Sequence, residues 1–297
     1  MTKTSEIIEL LKSLNLWASK KFGQNFLVNR DILNAIIKTA DLQKTDYVIE
    51  IGPGLGVLTQ ELAKKVAKVK TIELDIKLID HLQKTLPQNV EIIHGDALLL
   101  CPEKINWSGI QNDVVQGNKE LTTKPYAGIR RRGSYEVDAA IHVLNAAPYK
   151  VVANIPYNIT SPLISHFLQS ENPPKSMTLL VQHEVAEKII EKEPNHTVLS
   201  LQTQLFATPK IIRQVSRHCF FPAPKITSVI LHLKTIEKPP EKAEKIISLA
   251  KRAFSQKRKK LSNTLPELKE TLKNLNLNNL RPQNLSIANW TSIVEKL

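Results

Sequence analysis

The sequence predicts an α/β fold with a small helical domain at its C-terminal end. An apolar run at residues 48–51 enters a glycine turn and an amphipathic stretch at 58–66 leaves it, which is typical of a strand, a turn and a helix. Two further apolar runs, at 66–73 and 90–94, have the length and composition of strands. Residues 243–297 are rich in leucine, nearly free of glycine and helical in their apolar spacing.

The length and charge of the chain limit how many domains it can form and what class of partner it binds. The 297 residues are enough for one large domain and one small one. Paired prolines, Pro239 and Pro240, lie among charged residues and predict a boundary between a domain at 1–236 and a helical domain at 240–297. The net charge of +13 predicts a nucleic acid partner rather than a membrane, because Lys and Arg gain affinity by neutralising phosphates.

Cysteine usage and hydropathy indicate the compartment. Cys101 and Cys219 are far apart and fit neither a disulfide framework nor a zinc cluster. No segment has the composition of a membrane span, and residues 1–16 lack the apolar centre of a signal peptide. We therefore expect a soluble, cytoplasmic protein without a metal site.

The glycine turn is the first candidate ligand site. Gly52, Gly54 and Gly56 allow a ligand to approach the backbone closely, because no Cβ atom stands in the way. In a dinucleotide fingerprint the third glycine would come one residue later, so a nicotinamide cofactor is the weaker interpretation.

Two acidic residues follow the turn at the ends of predicted strands. Glu73 comes roughly 20 positions after the turn, where such folds place the carboxylate that receives ribose hydroxyls. Asp96 follows the next strand and should lie at the same edge of the sheet. Together Gly52, Glu73 and Asp96 resemble the S-adenosylmethionine site of class I methyltransferases, with the turn beside the methionine part, the first acid at the ribose and the second at the adenine.

A third feature, the segment Asn154-Ile155-Pro156-Tyr157, suits an exocyclic amine. The lone pair of an adenine amine is delocalised into the ring, so a site must accept its N–H bonds with oxygens such as that of Asn154. The aromatic face of Tyr157 can stack on the base, and this use of the ring predicts that Tyr157→Phe has only a mild effect. No strong general base is needed, because orientation and desolvation supply the remaining catalysis.

At this point the chain resembles the ribosomal RNA adenine dimethylase family over most of its length. The motifs that carry the resemblance are residues 21–27, the glycine turn, 72–75, 95–97, 154–159, 182–186 and 220–226. The resemblance implies a Rossmann-like sheet of seven strands with one antiparallel member, completed by residues 210–215 and 226–233. The cofactor contacts that it implies are Asn25, Leu27, Gly52, Glu73, Asp96 and Asn154. The target-base contacts that it implies are Asn154 and Tyr157, with Phe220 as a second aromatic wall.

The resemblance also implies an activity and partners. These are methyl transfer from S-adenosylmethionine to N6 of two adjacent adenines in the 3′-terminal hairpin loop of small-subunit rRNA, with a role in ribosome assembly. The partner would be small-subunit rRNA or the immature small subunit, bound by a monomer. Two alternatives stay open: an antibiotic-resistance methylase of large-subunit rRNA, and a noncatalytic RNA-binding assembly or transcription factor on the same fold.

Two basic segments are candidates for RNA contact. The run at 251–260 resembles the family's basic helix, and its candidate RNA-binding residues are Arg252, Lys257, Arg258, Lys259 and Lys260. A second run, at 130–132, falls in an atypical insertion at about 101–148, where a solvated loop is preferred over an RNA contact. His183 has no partner for nucleophilic or metal chemistry in the sequence and is interpreted as structural.

Overall fold

The computed structural model describes residues 4–19, 23–100, 102 and 147–297. Nearly all of the 101–148 insertion therefore lies outside the described residues, and so do Arg130, Arg131 and Arg132.

The described residues form two sheets. The strands are β1 (Phe26–Leu27), β2 (Tyr47–Ile51), β3 (Lys68–Glu73), β4 (Val90–His94), β5 (Tyr149–Asn154), β6 (Ser176–Gln182), β7 (Ala207–Val215), β8 (Phe220–Phe221) and β9 (Ser228–Thr235). Seven of them form one sheet in the order β4-β3-β2-β5-β6-β9-β7, and β1 pairs with β8 in a two-stranded sheet. Because β9 runs antiparallel to both β6 and β7, it alone opposes the other six strands. The prediction of seven strands with one antiparallel member is confirmed.

The helices surround this sheet and continue to the C-terminal end. They are α1 (Thr4–Ser13), α2 (Arg30–Ala40), α3 (Val57–Ala63), α4 (Ile76–Thr85), α5 (Thr160–Leu168), α6 (His183–Ile190), α7 (Val198–Gln204), α8 (Ala243–Phe254), α9 (Leu261–Thr264), α10 (Lys269–Asn274) and α11 (Ile287–Glu295). Asn29 caps α2, since its side-chain oxygen accepts a hydrogen bond from the backbone N–H of Ile32 at 3.0 Å. Short 3-10 helices, such as Tyr157–Ile159, connect several of these elements.

The central strands of the large sheet, β2, β5 and β6, are buried on both faces, which explains why their sequences are mostly apolar. Neighbouring residues of β2 belong to different apolar clusters: Ile49 packs in one together with Phe167 of α5, and Val48 packs in the other together with Ile36 of α2. Parallel strands covered on both faces align their carboxyl ends at one edge, and that edge is where ligands bind in open α/β sheets.

The C-terminal helices build a core of their own. Trp290 of α11 is fully buried there with Ile246 of α8. Leu201 and Leu205, from α7 and its C-terminal end, belong to the same cluster. The helical region is thus packed onto the sheet-bearing region, and its division from that region at residues 236–240 stays a prediction.

Candidate active site

A cleft with about 1080 Å³ of empty space, counted out to its open mouth, lies at the carboxyl edge of the sheet. Its walls come from the glycine turn after β2, the ends of β3, β4 and β5, and the segment that precedes α2. Seven of the sequence-predicted residues line it: Asn25, Leu27, Gly52, Glu73, Asp96, Asn154 and Tyr157.

The glycine turn requires its glycines for two reasons. Gly52 and Gly54 have φ of +67° and +58°, in the left-handed region that side chains disfavour. A Cβ atom on Gly54 would lie 3.0 Å from the ring of Phe26. The turn therefore leaves its backbone open to the cleft while Phe26 packs closely on one side of it.

Glu73 ends β3 and is buried at the bottom of the cleft. Its Oε1 accepts a hydrogen bond from the backbone N–H of Asp75 at 2.8 Å, and its Oε2 accepts one from Gly54 at 3.3 Å. Burial raises the pKa of Glu73 to about 7, although these N–H donors favour the ionised form. Glu73 is a well-oriented acceptor whose charge changes near neutral pH.

A second buried carboxyl, Glu50 of β2, also lines the cleft. Burial raises its pKa to about 8; the Thr59 hydroxyl counteracts this rise, and the nearby charge of Glu73 adds to it. Glu50 is therefore neutral over most of the physiological pH range. The sequence analysis missed this residue, although a charged residue inside an apolar strand run was the signal that could have identified it.

The wall beyond Glu73 combines an acid with an apolar side chain. Asp96 follows β4 and accepts a hydrogen bond from the backbone N–H of Leu98 at 2.9 Å through its Oδ1. Leu74 lines the same cleft and is 43% exposed. Carboxylate acceptors beside an exposed apolar surface fit the hydroxyls, amine and flat ring of a nucleoside.

Asn154 ends β5 on the opposite wall of the cleft. Its Nδ2 donates a hydrogen bond to the backbone carbonyl of Asn25 at 2.9 Å. This bond uses the donor end of the amide and leaves Oδ1 as the end that can accept from a ligand. The amide is thereby oriented for a substrate that brings N–H groups.

The segment before α2 forms part of the cleft wall. Gln24 holds it in place: its Nε2 donates to Asp75 Oδ2 at 3.1 Å, and its Oε1 accepts from the backbone N–H of Ser19 at 2.8 Å. Antiparallel pairing of β1 with β8 fixes the end of this segment. The sequence analysis did not identify Gln24, whose partners are distant in sequence.

The two predicted aromatic walls have different positions. Tyr157 is half-buried and lines the cleft. Phe220 is buried in the apolar cluster beneath α2 and pairs with Leu27 in the small sheet. Phe220 does not line the cleft, so this structure does not support it as a wall for the base.

The candidate RNA-binding residues lie away from the cleft lining and are exposed. Their assignment to a basic helix was wrong for four of the five: α8 ends at Phe254, and residues 257–260 form the turn that leads to α9. Arg252 is on α8 and forms an ion pair with Glu267. Lys260 Nζ donates to Asn279 Oδ1 at 3.0 Å.

Three further results concern the expected absences and His183. Within residues 4–19, 23–100, 102 and 147–297, no group of His, Cys, Asp and Glu side chains is arranged to hold a metal ion. No helix in that part of the chain is both long and apolar enough to cross a bilayer. His183 lies outside the cleft lining. Its Nδ1 is 3.3 Å from Glu187 Oε2, and its Nε2 is 3.2 Å from Gln214 Nε2.

Comparison with known proteins agrees with this architecture. The family described as "Ribosomal RNA adenine dimethylase" matches residues 16–297. A "Ribosomal RNA small subunit methyltransferase A" of Clostridium botulinum is 35% identical over 277 residues, which is 90% of this chain and 87% of the relative. A protein of the same name from Dehalococcoides mccartyi is 34% identical over 87% of this chain and 78% of the relative.

Two solved structures share the fold. A dimethyladenosine transferase from Plasmodium falciparum has a TM-score of 0.66 and 24% identity, covering 91% of this chain and 96% of its own. The 23S rRNA methyltransferase ErmE has a TM-score of 0.61 and 22% identity, and the match covers 92% of this chain and 99% of the ErmE chain.

The seven-stranded sheet with its cleft at the carboxyl edge is the class I methyltransferase fold, and the family match makes the chain a methyltransferase of this class. Methyltransferases of this class take their methyl group from S-adenosylmethionine. The match over residues 16–297 and the identities above 30% show that the chain belongs to the ribosomal RNA adenine dimethylase family.

Proposed function

We propose that this protein transfers methyl groups from S-adenosylmethionine to N6 of two adjacent adenines in the 3′-terminal hairpin loop of small-subunit rRNA. The observation that carries the chemistry is the oriented amide of Asn154, whose Nδ2 is bonded to Asn25 and whose Oδ1 is left to accept. The names of the relatives favour small-subunit rRNA over the large-subunit alternative.

The cofactor residues of this proposal are those of the cleft. Glu73 would accept the ribose hydroxyls, Asp96 the adenine amine, and Leu74 would lie against the adenine ring. The backbone of the glycine turn and the neutral carboxyl of Glu50 would lie beside the methionine part. When bound, S-adenosylmethionine supplies a methyl group on a sulfonium centre, which needs no further activation.

The remaining work of catalysis belongs to the base side of the cleft. Asn154 Oδ1 and a backbone carbonyl of residues 155–156 accept the two N–H bonds of the amine, which turns its lone pair toward the donor. Tyr157 stacks on the base that has left its RNA stack. The amine nitrogen gains a positive charge on methylation and loses a proton to solvent, so no strong base is required.

Methylation of isolated subunits tests this proposal. Small ribosomal subunits that lack the modification are incubated with the protein and cofactor, and their digested rRNA is analysed by mass spectrometry. We expect N6,N6-dimethyladenosine at two adjacent positions, with purified large subunits as the matched control. Transfer to large-subunit RNA alone would establish the antibiotic-resistance alternative, and tight RNA binding without transfer would establish the noncatalytic one.

A further inference from the structure

The ring of Tyr157 is anchored at both of its ends. Its backbone begins the 3-10 helix Tyr157–Ile159 directly after Pro156, which restricts the conformation of the chain at that point. At the far end of the ring, the hydroxyl lies 2.7 Å from Ser228 Oγ, within hydrogen-bond distance. A side chain used only for its aromatic face would not need this second anchor.

Ser228 reaches the site because of the reversed direction of one strand. It is the first residue of β9, and it pairs with Gln182 at the end of β6 and Val215 at the end of β7. The first residue of an antiparallel strand lies at the edge where its parallel neighbours end, which is the edge of the cleft. Ser228 is fully buried, so its hydroxyl needs a partner inside the protein.

We infer that Ser228 is a positioning residue, which fixes the plane of the Tyr157 ring for stacking on the target adenine. This inference rests on the proposed function, because it gives the fixed ring a base to stack on. Stacking requires two parallel planes, and a tyrosine ring held only at Cβ can rotate about two torsions. A hydrogen bond at the hydroxyl fixes the first torsion, and it also restrains the second before the base arrives, because a phenolic oxygen forms hydrogen bonds preferentially in the plane of its ring.

Ionisation of the Tyr157 hydroxyl does not disturb this bond at working pH. Burial raises the pKa of the Tyr157 hydroxyl above its usual value, and the bond to Ser228 offsets this rise in part. The hydroxyl is therefore protonated throughout the neutral range, and either oxygen can be the donor. This inference differs from the expectation of a mild effect of Tyr157→Phe, because loss of the hydroxyl would leave Ser228 without this partner.

The inference is tested with Ser228→Ala, Tyr157→Phe and the double variant. Methyl transfer is followed in single turnovers at saturating cofactor and saturating small subunits. We expect each single variant to lower the transfer rate by about 3- to 10-fold, while the dissociation constant of the cofactor is unchanged. The double variant should be no slower than the slower single variant, because both substitutions remove one and the same bond.

Ser176→Ala is the matched control. Ser176 is also a buried serine that begins a strand of the large sheet, but β6 runs the other way, so this residue lies at the edge opposite the cleft. The methyl-transfer rate of Ser176→Ala should equal that of the unmodified protein. If Ser228→Ala does not fold, Tyr157→Phe alone decides the inference through the same bond.

Three outcomes would overturn the inference: an unchanged rate in Ser228→Ala, an unchanged rate in Tyr157→Phe, or single effects that multiply in the double variant. Tyr157→Ala separates these from failure of the proposed function. If Tyr157→Ala slows transfer and Ser228→Ala does not, the positioning role alone is wrong. If the unmodified protein transfers no methyl group to small subunits, the proposed function itself is wrong.

Discussion

The cleft and the basic turn at residues 257–260 hold their charges in opposite ways. Glu73 in the cleft is buried and bonded to two backbone N–H groups, and its pKa is raised to about 7. The four basic side chains of the turn are exposed to solvent. Buried groups depend strongly on a few neighbours, whereas exposed charges are screened and act mainly through their number. We therefore expect single substitutions to matter in the cleft and only multiple ones to matter in the turn.

The largest effect is expected from Asn154→Ala. Removal of the amide leaves the amine of the base without its side-chain acceptor, so the transfer rate at saturating cofactor should fall by about 100-fold or more. Single-turnover assays on unmethylated small subunits measure this rate. Asn172→Ala removes an amide at the opposite edge of the sheet and should leave the rate unchanged.

We also expect weaker cofactor binding in Asn154→Ala, because Asn154 holds the carbonyl of Asn25. The assay is therefore repeated at increasing cofactor concentration. Recovery of a near-normal rate at saturation would show that Asn154 supports the cofactor side and does not orient the amine.

Glu73→Ala should have the next largest effect, on cofactor affinity. Loss of a charged acceptor for the ribose hydroxyls should weaken binding of S-adenosylmethionine by roughly 1.5–3 kcal/mol, or about 10- to 150-fold. Calorimetry at pH 8, where Glu73 is ionised, measures the two dissociation constants. Glu171→Ala, an exposed carboxylate at the opposite edge, is the control, and equal affinities for Glu73→Ala and the unmodified protein would remove Glu73 from the site.

A third prediction concerns Glu50 and the pH dependence of stability. The pKa of Glu50 is about 8 in the folded protein against 4.5 for the unperturbed group, so between these values the folded state binds a proton that the unfolded state releases. The stability that this proton confers is full below pH 4.5 and is lost as pH rises through about 8. The Gln side chain of Glu50→Gln stays neutral. As pH rises from 5 to 8, the unfolding free energy of Glu50→Gln should therefore increase relative to that of the unmodified protein.

Urea unfolding at several pH values without cofactor measures this difference. Some decline with pH should persist in Glu50→Gln, because the pKa of Glu73 is raised in the same direction. Glu171→Gln serves as the exposed control and should follow the unmodified protein. A constant difference between Glu50→Gln and the unmodified protein across this range would mean that Glu50 does not titrate there.

The smallest effect per residue is expected in the basic turn. Replacement of Lys257, Arg258, Lys259 and Lys260 by Gln should flatten the dependence of log affinity for RNA on log salt by about 0.7 for each phosphate contact that is lost. Filter binding at several salt concentrations gives this slope. The matched control replaces four exposed lysines at the opposite edge of the sheet, Lys44, Lys64, Lys65 and Lys175.

Two results would contradict this assignment. An unchanged slope after substitution of the turn would mean that the RNA lies elsewhere. An equal loss of slope in the control would mean that the whole positive surface acts through its net charge.

The parts of the site that follow from parallel strands were predictable from the sequence. Glu73, Asp96 and Asn154 each come at or just after the end of a parallel strand, so strand periodicity alone brought them to one edge. Ser228 was not predictable in this way, because it begins its strand, and only the reversed direction of β9 brings it to that edge.

The errors have a related origin in long-range contacts. The proline-rich sequence around Phe220 left open whether its ring faces the base or the core. Pairing of β8 with β1, almost 200 positions earlier in the chain, buries the ring. Helical composition continued past Phe254 in the sequence, yet the chain turns there and α9 begins only at Leu261. Local patterns do not contain the partner that decides either case.

If the proposed function is right, the pairing of β1 with β8 connects the two ligands of the reaction. β1 belongs to the segment before α2 that forms part of the cleft wall. β8 follows β7 and precedes β9 along the chain, and the first residue of β9, Ser228, is bonded to Tyr157. A displacement of either strand must therefore be transmitted to the other through their shared hydrogen bonds. Thermodynamic reciprocity then applies: by whatever factor bound cofactor changes the affinity for RNA, bound RNA changes the affinity for cofactor by the same factor.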